Sequence, residues 1–188
     1  ITLGSSLPTV ISGVMIDGTT APGASCDMNS RNVPMEVDFN GFSGISSNVS
    51  DVTIRGLTLY NAQMGSPLSM QGDNLEVSCM NVNTDRTGNA APVSPDSNSS
   101  GVVISNSIGL TFGTPGKGNI IVGHEYNVQF LNVHNTYILG NIIGLNAKTD
   151  ATILAGSQRT GIRFETGTDI HIGGSNLDEG NVISGHQS

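Results

Sequence analysis

Val52-Thr53-Ile54-Arg55-Gly56-Leu57-Thr58-Leu59 and Leu75-Glu76-Val77-Ser78-Cys79-Met80-Asn81-Val82 superpose at offset 23, with apolar side chains at matching alternate positions. Alternation with period two marks a strand that buries one face, and a fixed offset between two such strands marks a repeat. Outward from this pair the same ingredients recur. Val14-Met15-Ile16, Met35-Glu36-Val37-Asp38-Phe39, Val102-Val103-Ile104, Val128-Gln129-Phe130, Ile142-Ile143-Gly144-Leu145 and Ile170-His171-Ile172 all read as short strands followed by Gly, Asn or Asp. Those residues tolerate a left-handed backbone at a turn. A longer self-match lays Gly118-Asn119-Ile120-Ile121-Val122-Gly123-His124 on Gly180-Asn181-Val182-Ile183-Ser184-Gly185-His186 at offset 62. Just upstream, residues 109–113 match 169–173 at offset 60, so loop length varies while the strands persist.

A repeat that tolerates insertions predicts stacked coils in which inward Ile, Val, Leu and Phe form ladders. Helix signals are nearly absent, because Gly, Asn, Thr and Ser interrupt every window where a helical apolar stripe would run. The expected fold class is therefore all-β: a right-handed parallel β-helix, or solenoid, forming a single segment over residues 1–188. Its inward set is Ile16, Val37, Ile54, Leu57, Val77, Ile104, Ile138, Ile143, Ile162, Ile172 and Val182. With aromatics at 4% and no Trp, small aliphatic side chains are expected to fill the interior. Asn119, Asn141 and Asn181 fit two readings equally: amides bonded to the layers above and below, or solvent-exposed turn residues. Both ends are strand-like and uncapped. The expected partners are therefore other copies joined end to end, or neighbouring domains of a longer chain.

Fifteen acidic against seven basic residues give a formal net charge of −8. The basic residues are scattered singly, so nothing can displace counterions from a phosphate backbone, and nucleic-acid binding is excluded. No apolar run approaches the length of a membrane helix, so no membrane insertion is expected. Cys26 and Cys79 allow one disulfide at most; a bridge and two free thiols are both open, since separation in sequence says nothing of distance.

Ser6-Leu7-Pro8-Thr9-Val10, Val14-Met15-Ile16-Asp17-Gly18-Thr19-Thr20-Ala21-Pro22-Gly23, Val52-Thr53-Ile54-Arg55-Gly56-Leu57, Gly140-Asn141-Ile142-Ile143-Gly144-Leu145-Asn146, and Ile172-Gly173-Gly174 with Gly180-Asn181-Val182-Ile183-Ser184-Gly185 resemble bacterial secreted parallel β-helix repeat proteins. These are adhesin-like surface proteins whose architecture is similar to the pectin-lyase-like fold. The likeness covers nearly the whole chain. It departs from the pattern at residues 80–85, where the glycine-containing phrase is missing, and in the long loop at 87–100. It implies an extracellular or cell-surface location and a structural or adhesive role, with glycans or a cell-surface partner as ligands. The alternative on the same fold is a carbohydrate-active enzyme, a polysaccharide lyase or hydrolase; the family's phrases carry no catalytic residues of their own.

For that alternative, paired carboxylates would serve a hydrolase, and Ca²⁺ with a basic proton acceptor a lyase. Asp17 and Asp38, about one coil apart, are the carboxylates expected to stack, and Arg55, beside the Asp51 turn, is the candidate base. The competing reading makes the aspartates turn caps and Arg55 a solubilising strand residue. His124 and His186 fall at equivalent repeat positions, which points to packing and not to catalysis. No cofactor is called for. Ca²⁺ suits Asp96, Asp150, Asp169 or the Asp178-Glu179 pair chemically, but no calcium-loop spacing is present. Asn48-Val49-Ser50 and Asn98-Ser99-Ser100 are sequons of the kind an Asn- and Ser-rich chain contains by chance.

Overall fold

The computed structural model describes residues 1–94, 96, 99–153 and 158–187; Asn98 of the second sequon lies outside them. The first eight strands are β1 (Met15–Asp17), β2 (Met35–Asp38), β3 (Ile45–Ser47), β4 (Thr53–Arg55), β5 (Leu57–Tyr60), β6 (Leu68–Gln71), β7 (Glu76–Ser78) and β8 (Asn81–Val82). They are followed by β9 (Ser100–Ile108), β10 (Thr111–Phe112), β11 (Ile120–Ile121), β12 (Tyr126–Ile138), β13 (Ile142–Ile143), β14 (Thr160–Phe164), β15 (Gly167–Ile172) and β16 (Val182–Ile183). Among the described residues the one helical element is a 3₁₀ turn at Met28–Ser30.

The strands form two parallel sheets. A ten-stranded sheet runs β1-β4-β7-β10-β12-β9-β6-β3, with β14 and β15 also on β12, and a six-stranded sheet runs β16-β13-β11-β8-β5-β2. The matched stretches at Val52 and Leu75 appear as in-register pairing of Thr53 with Glu76 and of Leu59 with Val82. The longer self-match relates Ile120 to Val182, with Ile142 between them.

This architecture corrects the expected right-handed parallel β-helix. The strands are parallel, but they gather into two sheets of unequal size and do not repeat one coil. Along the row Met15, Thr53, Glu76, Thr111, Tyr137 and His171, the sequence offset between successive partners runs 38, 23, 35, 26, 34. The long strand β12 takes β9, β10, β14 and β15 as neighbours, so the larger sheet branches. One matched pair of strands fixed a local register; it did not fix a constant coil length.

Between the sheets lies the main core. Val37, Ile54, Leu57, Val77, Ile104, Ile138 and Ile143 are buried in it as expected, and Ile16 and Ile162 pack against it. Ile172 and Val182 differ, at 54% and 37% exposed, because β15 and β16 each have a neighbour on one side only. The aliphatic interior expected from composition is also corrected: Phe39, Phe112 and Phe130 are fully buried. Phe130 meets Phe112 edge-on at 5.3 Å and stacks on Phe164 at 5.2 Å. A second, smaller core of Ile120, Val122, Ile142, Ala147 and Ile153 lies apart from the main one, with Met28 packed against it.

Turns carry the stacking as much as strands do. Asn141 Oδ1 accepts from Asn119 N–H and Asn119 Nδ2, each at 2.9 Å, and Asn181 Oδ1 receives the same two bonds from Asn141. Asn141 Nδ2 also donates to Phe112 O. Asn119 and Asn141 are completely buried, so the interlayer reading of these asparagines is the correct one. A parallel column of left-handed residues runs through Asp51, Asn74, Gly109, Asn135 and Asp169 (φ 61°, 55°, 81°, 48° and 55°).

An arm over residues 24–33 leaves the sheets between β1 and β2 and is fastened in two ways. Cys26 and Cys79 form a disulfide across a sequence separation of 53. Arg31, 5% exposed, donates to Asn81 Oδ1, Cys26 O, Gly118 O and Met80 O. Burial pulls its pKa down to about 9, so it stays protonated at neutral pH.

Two outcomes are expected. Asn141→Ala leaves the buried Asn119 N–H without a partner and takes one of two donors from Phe112 O, which keeps Leu139 N–H, and should cost about 2 kcal/mol in urea unfolding; an unchanged midpoint would show that the ladder is dispensable. Replacing Cys26 and Cys79 together by Ser should cost about 4 kcal/mol for a closed loop of this size, seen as a lower melting temperature that reductant lowers no further.

Candidate functional site

On the outer face of the ten-stranded sheet, register puts Asp17 at the end of β1 beside Arg55 at the end of β4. Arg55 Nη2 donates to Asp17 Oδ2 at 2.8 Å, while Thr19 N–H and Oγ1 donate to Asp17 Oδ1 at 2.8 and 2.6 Å. Asp17-Gly18-Thr19 is the local reason: Gly18 lies so close to the next layer that a Cβ there would come within 2.0 Å of Gly56 O, and the tight turn folds Thr19 back onto the carboxylate. The Arg55 bond, then that from Thr19, holds the Asp17 carboxyl far below the usual range, and Asp17 in turn raises Arg55. A cavity of about 240 Å³ adjoins the pair, lined by Thr19, Arg55, Glu76, Ser78, Cys79, Thr114 and Lys117. Ser78 Oγ donates to Glu76 Oε1 at 2.9 Å.

From Glu76 the outward row continues through Thr111 to Tyr137 and His171. The last two rings stack at 4.7 Å, 7° from parallel, which is the spacing of neighbouring strands.

Asp38 is not part of this site. It belongs to β2 of the six-stranded sheet, where its Oδ1 accepts from Asn40 N–H and Asn61 Nδ2. The expected stacking of Asp17 on Asp38 does not occur, because the arm intervenes and the in-register neighbour of Asp17 is Arg55. Asp51 accepts from Asn74 Nδ2 instead of meeting Arg55.

The histidines follow repeat logic. A methyl group on Gly101 would come within 2.7 Å of the His124 ring, and one on Gly144 or Gly161 within 2.7 or 2.9 Å of the His186 ring. Each imidazole thus fills space that glycine leaves open. His124 Nε2 is 3.7 Å from Asp96 Oδ2, both side chains fully buried. Asp96 Oδ1 accepts from Ala62 N–H, and Asp96 N–H donates to Asn83 Oδ1. Burial drives the Asp96 carboxyl up to about 7.

Of the other calcium candidates, Asp150 Oδ1 accepts from Asn146 Nδ2, and Glu179 accepts from the Asn176 side chain and N–H. Among the described residues no group of three or more His, Cys, Asp or Glu could hold a metal ion. Sequence reasoning named Asp96 as a calcium candidate without its burial and missed the Arg31 fastening, Glu76 and Lys117; only the alternation placing Glu76 on the face of Arg55 was there to be read.

No known protein family, curated protein or solved structure matches the chain. The likeness to secreted repeat proteins therefore rests on the quoted phrases alone.

Asp96 makes stability pH-dependent with a definite sign. Its pKa is higher folded than unfolded, so its contribution is complete below the ordinary carboxyl pKa of about 4 and is lost as pH rises through about 7. Urea unfolding from pH 4 to 8 should show wild type losing stability relative to Asp96→Asn, and a constant difference would contradict this.

Proposed function

We propose that the chain is an extracellular structural or adhesive surface module that meets hydroxyl-rich, glycan-type ligands through the outer face of the ten-stranded sheet, where Asp17, Arg55 and Ser78 lie two positions along the strands from the row of Glu76, Thr111, Tyr137 and His171. The Asp17–Arg55 pair carries this reading. A general acid or base works best with a pKa near the operating pH. Asp17, held ionised by Arg55 and Thr19, is suited to fixed charge and hydrogen bonding and not to proton transfer. Beside it, Glu76, Ser78, Thr114 and Lys117 offer both donors and acceptors, the mixture that sugar hydroxyls use. Further along, the half-exposed Tyr137 and its stacked His171 supply aromatic surface. A disulfide between Cys26 and Cys79 suits an oxidising compartment outside the cell.

The test pairs a glycan microarray with incubation on pectin, alginate and related polyuronates. Binding without product formation is expected, weakened several-fold by Tyr137→Ala through loss of stacking worth about 1 kcal/mol. Polysaccharide cleavage that disappears in Asp17→Asn or Asp38→Asn would overturn the reading in favour of a carbohydrate-active enzyme.

A further inference from the structure

The six-stranded sheet carries a second cavity, on the other sheet from the outward row and independent of it. Its volume is about 330 Å³, and its lining includes Met28 and Asn29 of the arm, Ile142 of β13 and Val182 of β16, with Asp27 and Asp178 beside them. Ile142 and Met28 belong to the small core that lies apart from the main one, so the cleft has an apolar floor. Asp27 and Asp178 are both exposed. Asp27 Oδ1 accepts from Asn29 N–H, which leaves its second oxygen to face a ligand. Among the described residues no lysine or arginine lines the cavity.

The geometry points to a docking cleft for a basic side chain, lysine or arginine, of a partner polypeptide: its methylene stem on Met28, Ile142 and Val182, its cation against Asp27 and Asp178. Three observations carry this. The arm forming one wall is fixed by the disulfide and by the four bonds of Arg31, so the cleft exists before binding and little ordering has to be offset. Gly116 and Gly180 border it with nothing within 4 Å of where a Cβ would be, so a partner backbone can come close. Charge is complementary: the donors of Arg31, whose Nη1 lies 3.9 Å from Met28 Sδ, go to Asn81 and to backbone carbonyls, Asp27 and Asp178 leave the cleft negative, and the chain as a whole carries −8. A long side chain with an apolar stem and a charged tip is the group that such a floor and rim accept together.

Methyl NMR of Met28, Ile142 and Val182 follows the titration of three probes: Nα-acetyl-lysine N-methylamide, the norleucine analogue, and 1,5-diaminopentane. The lysine probe should give saturable shifts at all three residues. Its affinity should fall about tenfold in the double variant Asp27→Asn/Asp178→Asn, two weak exposed ion pairs being lost together; asparagine keeps the Asp27 bond to Asn29, so the arm is undisturbed. Gly180→Val, which places a side chain in open space, should abolish the shifts while the Ile54 and Ile143 methyls stay at their wild-type positions. Norleucine binding as tightly as lysine, or indifference to either variant, overturns the proposal. Tighter binding of diaminopentane than of the lysine probe also overturns it, by making the cleft a site for free polyamines.

Discussion

A buried parallel strand is stable only if both neighbours meet it in register, since each buried N–H or C=O left unpaired costs about 1–3 kcal/mol. Here that constraint extends past the strands, several of which are only two residues long. Where β11 and β13 begin, the backbone is still buried, and the Asn119-Asn141-Asn181 ladder completes the pairing with side-chain amides. An amide serves because it donates and accepts at once, so one residue type repeats down the column. The fit is close enough that a Cβ on Gly118 would come within 1.7 Å of Gly140 O. Every later feature, from core to cleft, inherits its position from this stacking.

The arm shows how an insertion is kept when layers are unequal. Between β1 and β2 the chain leaves the sheets, and a loose excursion would uncover Ile120 and Ile142. Arg31 holds it by donating to carbonyls of two later layers and to Asn81. A buried cation with no carboxylate partner is expensive unless its donors are satisfied. Here carbonyl dipoles satisfy them, and the disulfide keeps the arm near enough for those bonds to persist. The fastening of the arm also creates the cleft that it walls.

Charge is arranged differently on the two sheets. On the ten-stranded sheet opposite charges pair, and Asp17 is committed to Arg55 and Thr19, which favours recognition over proton transfer. Across the six-stranded sheet the carboxylates of Asp27 and Asp178 face an apolar floor. Asp96 is the exception in both respects, a carboxyl withdrawn from solvent against His124, where burial sets its protonation. Its backbone and side chain both hold the segment following β8 to the core, so the long loop at 87–100, where the repeat pattern breaks, is anchored at one of its own residues. Residues 95, 97 and 98 of that loop lie outside the described structure.

Sequence by itself determined the strands, the parallel register of the Val52 and Leu75 stretches, the turn positions and the burial of Ile54, Val77 and Ile143. These follow from local rules: period-two alternation, left-handed turn residues and the repetition of Gly-Asn-aliphatic phrases. It placed His124 and His186 correctly as packing residues for the same reason, since both sit in copies of one phrase. What it could not decide was which strand lies beside which when the offset between layers changes within one sheet, from 22 between Asn119 and Asn141 to 40 between Asn141 and Asn181. The tertiary structure made that choice. It joined β12 to four neighbours, set Asp17 against Arg55 and away from Asp38, brought Cys26 to Cys79 and buried Arg31 of the arm against the layers beneath it. Partner choice depends on the length of chain inserted between layers and on which buried polar groups then find one another, and neither quantity is written in any single stretch of the sequence.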